Sequence, residues 1–206
     1  GVTLFNYNMT NRQMSTTIVE GGGAVVSSSI NAGGETSRGV EVELAMAPFH
    51  HFSRYMSFSY LHATTDSNLR QGSDYLHTAG KIAPEAPRFM GAFGVSYDDG
   101  HFFGSFTFKY TGSQYSTFMN DEKMPSYTSE NVSVGYRFNN TWVMKRPEIR
   151  VNLVNMLDRS YLSGIASPTL NAHDTTSMGG ATVTGNSPTY WMGPVFGVMV
   201  TGSTAF

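Results

Sequence analysis

The chain has 206 residues, a formal net charge of -2 and no cysteine. That balance gives no case for nucleic acid as a partner, and without thiols neither a disulfide framework nor a thiolate metal site is available. Charged residues are 14% and aromatics 13%, with 22 glycines; such a chain has little charge to cover a soluble surface, yet no apolar run approaches the roughly eighteen residues of a membrane helix.

Phe5, Tyr7 and Met9 alternate with Asn6, Asn8 and Thr10. The period of two predicts a strand, with the aromatic side as its outer face. A polar stretch from Asn11 through Gly21-Gly22-Gly23 reads as a loop. Near Val25 the chain becomes strand-like again and runs toward Met46. There Val40, Val42, Leu44 and Met46 share one face and Glu41 and Glu43 the other. The two carboxylates read as lining of a wet interior, paired with basic residues of neighbouring strands, because nothing adjacent supplies a nucleophile or base. Ala47 to Phe52 is a short break. His50 and His51 are adjacent, so on a strand they point to opposite faces and do not share a metal.

From Arg54 to Ala63, Met56, Phe58 and Tyr60 oppose Ser57 and Ser59. Thr64 to Pro87 is polar and too long for an ordinary connection in a compact domain. Phe89, Phe93, Val95 and Tyr97 form the next apolar face, and Asp98-Asp99-Gly100 predicts a tight hairpin turn. The following strand alternates most clearly. Phe102, Gly104, Phe106, Phe108 and Tyr110 oppose Phe103, Ser105, Thr107, Lys109 and Thr111. Ser113 to Pro125 is another loop. Val132, Val134, Tyr136 and Phe138 then alternate with Asn131, Ser133, Gly135 and Arg137, and a short link leads to Pro147. Ile149, Val151 and Leu153 alternate with Arg150 and Asn152. Arg159 to Thr189 is long and polar, and Tyr190 to Phe206 reads as one closing strand with the terminal Phe206 in an aromatic girdle.

About eight strands result, with long connections after the odd ones and short connections after the even ones. A β-sandwich has no reason to segregate its loop lengths this way. The expected fold is all-β, an antiparallel transmembrane β-barrel whose large apolar side chains face hydrocarbon and whose polar side chains face a wet lumen. Residue 2 already lies in a strand pattern, so the sequence is expected to begin partway through a longer protein.

Three stretches resemble TonB-dependent outer-membrane receptors. Asn31-Ala32-Gly33 followed by Ser37-Arg38-Gly39-Val40-Glu41-Val42-Glu43-Leu44 resembles one family strand. Arg150 to Leu162, with Asn155-Met156-Leu157-Asp158 and Tyr161, is similar to the family's Asn-Leu-Phe-Asp-x-x-Tyr strand end. Tyr190, Gly193-Pro194 and Phe206 resemble the closing strand, although Val195 stands where an arginine commonly follows Gly-Pro.

The resemblance implies that residues 1–206 are the C-terminal part of a barrel of about 22 strands around a plugged lumen. The plug and the TonB box would lie at the family's N-terminus, outside this sequence. It also implies a Gram-negative cell outer membrane, contact with outer-membrane lipid, the TonB complex as energy source and an iron-siderophore ligand. Cobalamin, haem and sugars are the cargo of other members.

Ligand contacts are expected in the outer loops, at Tyr75, His77, Tyr115 and His173. No catalytic residue, metal site or cofactor is expected: the sequence has no Gly-x-Ser-x-Gly and no His-Glu-x-x-His. A self-contained eight-stranded barrel with a structural or adhesive role is the alternative.

Overall fold

A computed structural model of the chain describes residues 1–19 and 25–205. The loop glycines Gly21 to Gly23 and the terminal Phe206 lie outside the described residues. Eight strands form one antiparallel sheet in chain order. They are β1 (Val2–Met9), β2 (Glu35–Phe49), β3 (Phe52–Thr65), β4 (Phe89–Asp98), β5 (Phe102–Thr111), β6 (Tyr127–Arg137), β7 (Lys145–Val154) and β8 (Gly197–Ala205). Long connections, 10–34, 66–88, 112–126 and 155–196, leave one end of this wall, and short ones, 50–51, 99–101 and 138–144, leave the other. Among the described residues β1 and β8 do not pair with each other, so the sheet is open.

Register sorts the side chains onto two faces. Leu4, Val40 and Tyr60 lie in one cross-strand row, and Val42 with Phe58 in the next. Val95, Phe106, Val132, Leu153 and Val198 continue the same face across β4 to β8. Many of these large apolar side chains are bare: Leu4 is 80% and Val200 62% exposed. The opposite face carries Glu41, Glu43, Ser57, Ser59, Ser105, Lys109, Ser133, Asn152 and Thr201. An apolar outside and a polar inside is the inverse of a soluble sheet and is the pattern of a barrel wall in lipid.

Aromatic rings gather at both ends of the apolar face. Near the short turns Phe52 packs on Tyr97 (4.9 Å between centroids), and Tyr136 packs on Phe102 (4.7 Å) and on Phe138 (4.8 Å). Toward the long connections Tyr60 and Phe89 are 5.3 Å apart. Rings at these two levels match the interfacial girdles of membrane barrels.

The prolines within wall strands sit where the ladder breaks. Pro48 lies in the register shift between Met46 and Phe49, and Pro147 in the shift between Lys145 and Glu148. Proline has no N–H for the ladder, so a bulge is where a strand tolerates it. His50 and His51 are the whole connection between β2 and β3, both at positive φ (47° and 68°). They occupy a two-residue hairpin turn and do not point to opposite faces of a strand. At the next turn Asp99 N donates to Phe102 O, so Gly100 and His101 are the central pair, one residue later than predicted. Gly100 supplies the positive φ (97°), and the Asp99 carboxylate accepts the His101 and Phe102 amides.

Two further expectations are corrected. The aromatic side of β1 is the polar, inner face: Phe5 lies opposite Gly39 and Tyr7 opposite Ser37, while Val2 and Leu4 face outward. The cause is local packing. Phe5 Cζ stands 2.7 Å from where a Cβ on Gly39 would be, so the ring covers a gap that only glycine leaves. Nor is Tyr190 to Phe206 one strand. Thr189–Met192 pairs with Leu162–Ser167 outside the wall, and β8 starts at Gly197. Between them Gly193 N donates to Tyr161 O, and Asn155 Nδ2 donates to Pro194 O, which ties the link to the preceding loop.

Candidate functional site

The four long connections are not separate loops. Each except 155–196 folds back as one hairpin, and 155–196 holds two: Gln13–Val19 with Val25–Asn31, Leu69–Gln71 with Asp74–Leu76, Gln114–Tyr115 with Lys123–Met124, and Leu162–Ser167 with Thr189–Met192 beside Thr175–Thr176 with Thr182–Val183. They then share a core. Met14 and Ala32 from the first connection, Leu69 and Leu76 from the second, Phe118 from the third and Leu170 from the fourth are buried together. The wall has no comparable cluster of large buried side chains among the described residues, because its apolar groups face outward.

Polar bridges fix the relative position of these connections. Asn120 Nδ2 donates to Ile82 O (2.8 Å) and its Oδ1 accepts Ile82 N (2.9 Å), joining 112–126 to 66–88. Asp121 accepts the Ala172 and His173 amides (2.9 and 3.0 Å) and the Thr117 hydroxyl (2.6 Å), joining 112–126 to 155–196. Burial alone would raise the Asp121 pKa, but the Thr117 hydroxyl and the two amides outweigh it and hold the carboxyl below its ordinary value. Asp74 accepts Gly179 N (2.7 Å), and Met178 N donates to Tyr75 O (2.9 Å), joining 66–88 to 155–196. The Tyr190 hydroxyl lies 2.8 Å from Ser116 Oγ and donates to Glu122. Burial, then the Glu122 carboxylate, push its pKa up to about 12. Arg12 pairs with Glu35 at the start of β2.

The predicted contact residues all lie on this cap. Tyr75, His77 and His173 are exposed and Tyr115 is half-buried, with Lys123 Nζ 5.0 Å from the centre of its ring. Among the described residues no hydrogen bond, ion pair or ring contact joins any two of the four, and no group of three acidic or histidine side chains is placed to hold a metal. The bridging residues Asn120, Asp121 and Asp74 escape sequence reasoning, since their partners are backbone amides and carbonyls far along the chain.

The inner face carries two further features. Near the short turns Arg137 Nη1 donates to both Asp98 oxygens (2.8 and 2.9 Å), and Arg137 and Arg150 both reach Glu148 (3.3 and 3.5 Å). Both guanidinium groups lie over the Phe103 ring, 4.1 and 4.9 Å from its centre. Higher on the wall Glu41 and Glu43 line a recess with Lys109. Among the described residues neither carboxylate is within ion-pair distance of a cation, so the expected pairing with neighbouring strands is not made.

Comparison with known proteins adds the following. The family model described as TonB dependent receptor-like, beta-barrel, matches residues 1–156. The fold is similar to that of the siderophore receptor PiuA from Acinetobacter baumannii, with a TM-score of 0.66 at 14% identity, over 99% of this chain and 26% of that one. It is also similar to the ferric yersiniabactin uptake receptor FyuA from Yersinia pestis, with a TM-score of 0.65 at 17% identity, over 100% of this chain and 27% of that one. The copper transporter OprC gives a TM-score of 0.59 at 11% identity, over 99% of this chain and 28% of that one. At these identities the likeness concerns the fold, and the chain spans about a quarter of the length of the receptors it matches. No curated protein matches the sequence.

Proposed function

Because the chain belongs to the TonB dependent receptor-like β-barrel family, we propose that it supplies wall strands and outer loops of a receptor for active uptake of a scarce ligand, an iron-siderophore complex. The observation that carries this reading is the combination of a lipid-facing wall with a folded cap on all four of its long connections. A purely structural barrel needs the first but has no use for a shared core between its loops. The siderophore and yersiniabactin receptors among the similar structures support iron chelates as cargo. The wall sits in the outer membrane of a Gram-negative bacterium, with the cap outside the cell. Tyr75, His77, Tyr115 and His173 present aromatic and imidazole groups to the incoming chelate from the cap surface. Energy comes from the TonB complex through a part of the protein other than residues 1–206.

The open sheet favours this reading over a self-contained eight-stranded barrel. Such a barrel would join β1 to β8, and unpaired edges in hydrocarbon leave backbone groups without partners. We therefore take residues 1–206 as one wall segment whose edges pair with further strands of the same protein.

The test uses the full-length gene. A deletion strain is given radio-iron-loaded hydroxamate, catecholate and citrate chelates, with and without TonB depletion. The reading expects one chelate whose uptake disappears on deletion, returns on complementation and fails without TonB. Uptake of all three that is unchanged by deletion overturns the iron-siderophore assignment.

A further inference from the structure

At the short-turn end of the wall, the turn 99–101 and the link 138–144 enclose a recess of about 340 Å³. His101 lines one side, and Arg137, Phe138, Asn140 and Arg146 the other. Local hydrogen bonds fix its walls. Arg137 N donates to His101 O (2.8 Å), and His101 Nδ1 lies 3.0 Å from Arg137 O, so the Nε2 edge of the ring is left open. Asn140 Oδ1 accepts Arg146 N (2.9 Å). The Arg146 backbone is left-handed (φ 47°), uncommon for a residue other than glycine, and it stands in the register shift with Pro147. The bend ends the ladder here and sets the arginine on the recess wall.

Donors in this recess outnumber acceptors. Among the described residues Arg146 makes no ion pair. The nearby carboxylates are already engaged. Asp98 takes two hydrogen bonds from Arg137, and Asp99 accepts the His101 and Phe102 amides and the Tyr97 hydroxyl (3.0 Å). The depth is that of a headgroup layer. Phe102, Tyr136 and Phe138 form the aromatic girdle at this end, and Phe138 is itself part of the recess wall. Headgroups occupy roughly 5–8 Å beyond the hydrocarbon on each side, about two residues of strand. The His101 ring stacks on Tyr136 at 6.0 Å, so the polar recess runs directly into the apolar rings. Farther out, Thr141 N donates to Met144 O (2.9 Å), which leaves Trp142 at the tip of the link, 98% exposed. An indole there suits the same layer.

We propose that His101, Asn140 and Arg146 bind the phosphate of an anionic phospholipid in the periplasmic leaflet, with its acyl chains against Phe138, Tyr136 and Phe102. The Arg146 guanidinium presents a planar fork to phosphate oxygens, and in its protonated form His101 adds Nε2–H. An acidic periplasmic peptide would use the basic recess but has no use for the rings that lead out of it into the hydrocarbon. The site lies at the opposite end of the wall from the cap. It fixes the depth of β6 and β7 in the membrane and touches no cargo. It rests on the membrane-wall reading above.

The test takes the purified full-length receptor, stripped of native lipid and reconstituted in nanodiscs of phosphatidylcholine and phosphatidylglycerol with the same chain length. Retained lipid is counted by native mass spectrometry after gentle extraction. The proposal expects phosphatidylglycerol to be retained in preference to phosphatidylcholine. Arg146→Gln should lower that preference roughly fivefold, and His101→Gln, on the neighbouring turn, should lower it independently by a smaller factor. Arg70→Gln removes the same charge from the cap and should leave the preference unchanged. An unchanged preference in Arg146→Gln, or an equal loss in Arg70→Gln, overturns the site. Displacement of the lipid by hexaglutamate assigns the recess to an acidic peptide, and displacement by glycerol 3-phosphate assigns it to a free phosphate; either overturns it as a lipid site. Failure of the wild-type protein to enter nanodiscs at all is a different outcome and sinks the membrane wall itself, and the lipid site with it.

Discussion

Phe5, Tyr7 and Phe103 apart, the large apolar side chains of the wall lie mostly on the outside, whereas the cap built from the long connections packs Met14, Leu69, Leu76, Phe118 and Leu170 on the inside. The two regions share a chain and a secondary-structure type but answer to different solvents. In hydrocarbon, exposed Phe and Val cost nothing and the backbone must be paired strand to strand. In water, the cap has to bury apolar surface and satisfy its polar groups locally, as any small domain does. The wall therefore derives stability from its ladder and its lipid, and the cap from a conventional core plus side-chain bridges such as Asn120 to Ile82. It follows that damage to one region should be readable without damage to the other.

The largest expected effect falls on the cap. Phe118 is 1% exposed, and its neighbours come from three other connections. Phe118→Ala should remove about 3–5 kcal/mol of local stability. In the full-length receptor, amide exchange should accelerate around Met14 and Ala32 and in 66–88, 112–126 and 155–196 together, while the wall amides keep their protection. Equal acceleration in the wall would mean that cap and wall open as one cooperative unit, and the distinction between them would fall.

The converse experiment strikes the wall. Phe106 lies on the outward face halfway along β5, between the levels of Phe102 and Tyr110. Phe106→Arg should cost about 2–4 kcal/mol in folding equilibria measured in lipid vesicles if that position is near the bilayer midplane. Cap exchange should stay as in the parent protein. A cost near zero would place this face in water and turn the wall into an ordinary sheet.

How far each region was legible in the sequence follows from the same contrast. Alternation between lipid and lumen writes itself along every wall strand, so Phe102 to Thr111 and Val132 to Phe138 were readable from period alone. The inward turn of Phe5 was not, because it depends on Gly39 two strands' lengths away in sequence and on the register that brings them together. Tyr190 to Met192 alternates like a wall strand yet pairs with Leu162–Ser167, and the ladder partner is what decides. The cap was hidden more completely. Its core takes one or two apolar residues from each polar connection, so no window of the sequence shows a period. Its bridges run from side chains to backbone groups 38 to 105 residues away, which leaves no signature in residue type. The placement of Tyr75, His77, Tyr115 and His173 on the cap was readable as loop position, but their mutual geometry depends on that hidden core.

The smallest effect separates the regions by pH. Asp121 is held below the usual carboxylate range in the folded cap, because the Thr117 hydroxyl and the Ala172 and His173 amides outweigh the effect of burial. A carboxyl whose folded pKa is depressed contributes stability that is present above its unfolded value of about 3.9 and is lost as pH falls through the folded value. Acidification below about pH 4 should therefore loosen the contact between 112–126 and 155–196. Because Asp121 is only partly buried, solvent screening limits the contribution to about 1 kcal/mol. The wall also carries carboxylates, at Asp98 and Glu148 near the short turns, so a global unfolding curve would mix the two. Residue-resolved exchange separates them. The Ala172 and His173 amides should lose protection on acidification in the parent protein, and in Asp121→Asn they should be weakly protected at neutral pH with little further change in acid. Full protection of both amides in Asp121→Asn at neutral pH would show that the buried apolar core alone holds these two connections together.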